Sequence, residues 1–203
     1  MGESNNTVRL YCGDRPSVHD GGPADRVVSV LFDTDVEAWR SAWGRTAAGP
    51  PTREAVVDVN DIVRSGATAS TQVMPNSGLA HTVLGRATEC ERVFDAVAEH
   101  VDGAPPGTVD VFVDDLAAVA ARNGVDSAVA FAERLVERFR GRASRITIGC
   151  SFEGPAELLS RVVAGVDAVI GVDPSAASAV ERLSRDDPTT FGYVRRHWAE
   201  AKR

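Results

Sequence analysis

Residues 109–151 read VDVFVDDLAAVAARNGVDSAVAFAERLVERFRGRASRITIGCS. The run 109–113 is apolar except for Asp110, as expected of a strand buried on both faces. The acidic pair Asp114-Asp115 ends it. A short helix is predicted over 115–122, closed by Asn123-Gly124, a good C-cap pair. Asp126 is predicted to cap a second helix that runs to about 140. In that helix Phe131, Leu135 and Phe139 fall at i, i+4 and i+8, one buried stripe. A further strand is predicted over 146–150. Strand, helices and strand in this order make a crossover unit, so the two strands should lie parallel.

The same alternation extends outward. A short strand is expected at 7–12, and 27–32 is another nearly continuous apolar run. Asp33-Thr34-Asp35 offers capping oxygens to a helix reaching about Trp43. A strand is expected at 55–59. The stretch 60–85 leaves two readings open, a short helix at 60–64 and a strand near 70–74. A helix over 88–101 places Cys90, Val93, Phe94, Val97 and Val101 on one side, and Ala104-Pro105-Pro106-Gly107 breaks it. Residues 155–164 form a helix with proline in its first turn. Residues 168–172 form the last clear strand, and helices follow at 175–184 and 189–201. Repeated β-then-α units predict an α/β fold, a mainly parallel central sheet with helices on both faces. At least five strands are expected, with 27–32, 109–113 and 146–150 central. One domain over 1–187 and a C-terminal amphipathic helix over 188–203 complete the expected organisation.

Composition narrows the chemistry. Lys202 is the only lysine; the other basic residues in the Lys+Arg total of 22 are arginines. A phosphate-binding Walker A loop needs a lysine beside its glycines. A Schiff-base enzyme needs a lysine amine that can lose its proton, which arginine cannot replace. The net charge of −7 argues against generic binding to nucleic acid or anionic membranes. Cys12, Cys90 and Cys150 form no CxxC, and His19, His81, His100 and His197 form no HxH or HExxH. The cysteines read as reduced and structural, and surface or helix-end positions are expected of His81 and His100. MGESNNTVRL has no apolar signal core, so a cytoplasmic protein is expected. No metal or other cofactor is expected.

Four segments have the residue types to carry chemistry. The strand ending in Asp114-Asp115 has the form of a Walker B element, whose aspartate helps hold Mg²⁺; the competing reading makes one of the two acids a helix cap. Gly13-Asp14-Arg15-Pro16-Ser17-Val18-His19-Asp20-Gly21-Gly22 stands where a phosphate loop would be, but it lacks the lysine and the hydroxyl residue after it. Cys150-Ser151 follows a strand, yet no GxSxG elbow is present, so Cys150 reads as a core thiol. Lastly, Phe191, Val194, Trp198 and Ala201 share one face of a C-terminal helix, with Arg195, Arg196, Lys202 and Arg203 making the rest basic.

The stretch 109–151 resembles the Walker B half of RecA- and KaiC-like ATPases. The whole chain is similar to haloarchaeal RecA-like proteins of unknown function that lack a P-loop, and DPTTFGYVRRHW (187–198) resembles their C-termini. The resemblance implies a RecA-like, degenerate P-loop fold with Asp114 as the Walker B acid and Asp115 beside it as a relict cofactor-binding pair. It has no counterpart for the Walker A lysine and hydroxyl. The expected function is therefore a non-catalytic pseudo-ATPase domain, regulatory or protein-binding. Phe191, Arg195, Arg196 and Trp198 are the candidate contacts to a protein partner or a second copy. Two alternatives stand beside it: a nucleotide- or small-molecule-binding enzyme using Asp33, Asp114 and Asp115 with an arginine, and a DNA-associated regulator using the C-terminal arginines.

Overall fold

The computed structural model describes residues 7–12, 26–44, 51–59, 70–74, 79–85, 90–106, 108–151 and 155–171. They form one eight-stranded sheet with five helices. In chain order the elements are β1 (Thr7–Cys12), β2 (Arg26–Leu31), α1 (Val36–Gly44), β3 (Arg53–Asp58), β4 (Ser70–Met74), β5 (Leu79–Val83), α2 (Cys90–Asp102), β6 (Val109–Val113), α3 (Leu116–Asn123), α4 (Val125–Phe139), β7 (Arg145–Cys150), α5 (Ala156–Val163) and β8 (Ala168–Gly171). The strand order is β4-β5-β3-β2-β6-β7-β1-β8. Every pairing is parallel except that of β4 with β5 at one edge. The strands expected to be central, β2, β6 and β7, are interior, and β6 is buried at all five positions.

Alternation along the strands divides the core in two. Val28, Val30, Val111, Val113, Ile146 and Ile148 point to the face covered by α2, α3, α4 and α5. Val27, Leu31, Val56 and Phe112 point to the other face, where α1 lays Trp39 against them. The Trp39 and Phe112 rings are 4.4 Å apart, and Trp39 Nε1 donates to Glu54 Oε1 at 3.1 Å. That bond and Arg40 Nε at 3.3 Å account for a glutamate buried in the first half of β3. Helices on both faces explain why these strands read as continuous apolar runs rather than alternating ones.

Three expectations need correction. Asp126 does not cap α4. Gly124 ends α3 with its N–H on Ala120 O and also opens α4 with its carbonyl, which accepts from Ala128 N. At φ 86 a single glycine serves both helices, and Asp126 is left in the first turn, paired with Arg161. His81 lies at neither the surface nor a helix end; it is half-buried in the middle of β5, 3.4 Å from Asp58 Oδ2. Pro155 is the N-cap of α5 and not part of its first turn. The strand near 70–74 is present as β4, whereas 60–64 and the helices expected at 175–184 and 189–201 lie outside the described residues. No helix among the described residues is long and apolar enough to cross a membrane.

Candidate functional site

Because seven strands are parallel, their carboxyl ends share one edge of the sheet. β2 continues through α1 on one face to β3, and the neighbouring β6 continues through α3 and α4 on the other face to β7. Two adjacent strands whose connections leave in opposite directions open a crevice between their ends, the usual ligand position in such sheets. Asp114, directly after β6, occupies that crevice.

Asp114 is 2% exposed. Its Oδ1 accepts from Phe32 N at 2.8 Å and Asp115 N at 2.6 Å. Its Oδ2 accepts from Asp33 N at 2.9 Å and Thr34 N at 2.8 Å. Two donors on each oxygen fill the acceptor positions of a carboxylate. All four are backbone amides, three of them from the turn that follows β2. Burial pushes the Asp114 carboxyl above the ordinary carboxylate value, and the four donors act against that shift.

Asp115 is also engaged. It is the N-cap of α3, and its Oδ1 accepts from Ala117 N at 2.9 Å and from Ser151 N at 2.9 Å. One carboxylate thus ties the start of α3 to the end of β7. Asp33 is exposed on the turn, and the cap of α1 is Asp35, whose Oδ1 accepts from Glu37 N and Ala38 N. The three acids therefore do not converge on an open cleft: Asp114 and Asp115 hold backbone, and Asp33 lies outside.

Arg122 went unnoticed in the sequence. From the last turn of α3 its guanidinium lies 5.8 Å from the Phe32 ring centroid. Its Nη1 donates to Val59 O at 3.0 Å, and its Nη2 donates to Phe32 O. It binds the ends of β2 and β3 together beside the same crevice. A lone arginine in a helix carries no sequence signal for such a role.

Cys12 and Cys150 are register partners on β1 and β7, and both are buried free thiols. Burial pushes Cys12 up to about 12 and raises Cys150 as well. Neither has the thiolate character of a nucleophile. Among the described residues no group of three or more His, Cys, Asp or Glu side chains is placed to hold a metal ion. The glycine-containing segment 13–22 and the candidate partner contacts Phe191, Arg195, Arg196 and Trp198 lie outside the described residues. No protein-family model matches the chain, and no curated protein or solved structure gives a significant match.

Proposed function

We propose that the chain is a non-catalytic, RecA/KaiC-like pseudo-ATPase domain that serves as a regulatory or protein-interaction module. The saturation of Asp114 carries this reading. A Walker B aspartate acts on Mg²⁺ through an oxygen that faces the metal's water or the phosphate-loop hydroxyl. Here both oxygens face backbone amides of the chain itself, and the acid holds the turn after β2. The absence of any lysine before residue 202 supports the same reading, since no phosphate loop of the Walker A type can be completed. The enzyme alternative loses support because two of its three acids are engaged as backbone acceptors.

The test is a titration of purified protein with ATP and other nucleotides, with and without Mg²⁺. Binding to the folded state raises Tm by mass action. No Mg²⁺-dependent rise is expected, and hydrolysis should match a buffer blank. Steady hydrolysis that disappears in Asp114→Asn overturns the proposal.

A further inference from the structure

A groove of about 320 Å³ runs between α4 and α5 on the face away from α1. Val129 and Val136 of α4 form one wall, Val162 and Val166 the other, and Ile148 of β7 the floor. Its rim is charged unevenly. On α4, Arg134 and Arg138 turn toward α2 and pair with Glu91 and Asp102. Glu133 and Glu137 turn the other way and line the groove. Neither has an ion-pair partner among the described residues. Among the described residues the one cation on the rim is Arg161, and it is engaged by Asp126 at 2.6 Å and Glu157 at 3.5 Å. The groove thus presents an apolar floor beneath two uncompensated carboxylates one helical turn apart.

We infer that the groove is the docking site of the chain's own C-terminal segment, 188–203. That segment has the complementary chemistry. Phe191, Val194 and Trp198 fall at i, i+3 and i+7, and Arg195, Arg196, Lys202 and Arg203 flank them. An apolar stripe bordered by cations matches an apolar floor bordered by carboxylates. Reach is sufficient: β8 ends at Gly171, soon after the groove residues Ala164, Gly165 and Val166. Residues 172–187 separate β8 from the segment, a length that reaches roughly 50 Å fully extended and still about 35 Å with the helix expected at 175–184. Docking in this way occupies both the groove and the basic face, so a partner that binds either must first displace the segment. The inference goes beyond the pseudo-ATPase reading and does not depend on it.

The single lysine makes the test specific. A water-soluble carbodiimide joins a carboxylate to an amine in contact with it, and Lys202 carries the only side-chain amine among the 203 residues. The expected major product joins Lys202 to Glu133 or Glu137 within the monomer, identified by peptide mapping. Gly165→Trp fills the groove and leaves both glutamates in place; it is expected to lower the yield of that product about tenfold. Ala164→Trp, also at an exposed turn position, should act in the same way if the first variant does not fold. Lys202 joined indiscriminately to other carboxylates, with no effect of either tryptophan, overturns the inference. So does a Lys202–Glu133 or Lys202–Glu137 product confined to the covalent dimer, which assigns the groove to a second copy.

Discussion

Gly149 lies directly beneath the main chain of Asp114. A Cβ placed on Gly149 would stand 2.8 Å from the Asp114 carbonyl carbon and closer still to its oxygen. The chain leaving β6 presses its carbonyl against the neighbouring β7 at this point, one position beyond the Val113–Ile148 pair, and only a residue without a side chain allows so close an approach. The same turn carries Asp114 into the crevice between β2 and β6, so the glycine sets where the carboxylate sits.

Gly149→Ala is therefore expected to displace the 114–115 turn and to destabilise the protein by about 3 kcal/mol, the upper part of the range for overpacked sites. Urea denaturation measures it. A loss under 0.5 kcal/mol, the scatter typical of neutral surface substitutions, would show that the turn moves freely and is not held by this contact.

Asp114 predicts a graded series. Asp114→Asn keeps one acceptor oxygen but turns an amide N–H₂ toward the two N–H groups that now donate to the other. It should cost about 2 kcal/mol, and Asp114→Ala more, because buried donors are left without acceptors. Mg²⁺ should change the stability of the wild-type protein no more than that of either variant. Selective stabilisation of the wild type by Mg²⁺ would identify a metal ligand rather than a backbone acceptor.

Asp115 separates geometry from charge. Its Oδ1 alone accepts both Ala117 N and Ser151 N, so Asp115→Asn can keep both bonds. Asp115→Ala loses a helix cap and an interstrand tie, together about 2 kcal/mol. Thermal and urea unfolding should rank the alanine variant well below the asparagine one; equal losses would mean that the negative charge, and not the oxygen position, matters.

These contacts mark where the sequence was readable. β6, α3, α4 and β7 were legible because period and punctuation agree within a short stretch: an apolar run, an Asn-Gly stop, and Phe131, Leu135 and Phe139 at helical spacing. The capping role of Asp115 is a local pattern and was visible as one of two readings. The role of Asp114 was not, because its acceptors serve amides 80–82 residues away that come near only when β2 and β6 become neighbours. β5 was obscured by His81 and Thr82, polar residues tolerated in a strand next to the sheet edge, where hydrophobic patterning weakens. Arg122 and Gly149 act across elements, and no spacing rule reports such contacts.

The cysteines should differ in reactivity. Cys90 is half-buried at the start of α2, whereas Cys12 and Cys150 are buried at adjoining strand ends. A thiol reagent such as a disulfide dye should modify Cys90 alone in the native protein and all three after denaturation. Rapid native modification of Cys12 or Cys150 would contradict their burial and the raised thiol values that follow from it.

The last expectation concerns acid stability. His100, in the final turn of α2, sits with Nε2 3.3 Å from Thr82 Oγ1. Burial lowers its pKa below the ordinary imidazole value, Glu99 pulls it up, and Arg26 pushes it further down. The unfolded chain therefore takes up this proton first as pH falls, near the ordinary value of about 6.5. Below that pH, until the folded imidazole is itself protonated, the unfolded state binds more protons and stability declines. Above about pH 7.5 both states are neutral at this position and the contribution vanishes. Urea midpoints of wild type and His100→Gln should thus run parallel in alkaline buffer and diverge as pH is lowered through 6.5, the wild type losing more. Parallel midpoints throughout, or a variant that loses more than the wild type, would mean that the folded protein accommodates the imidazolium and that burial does not control this group.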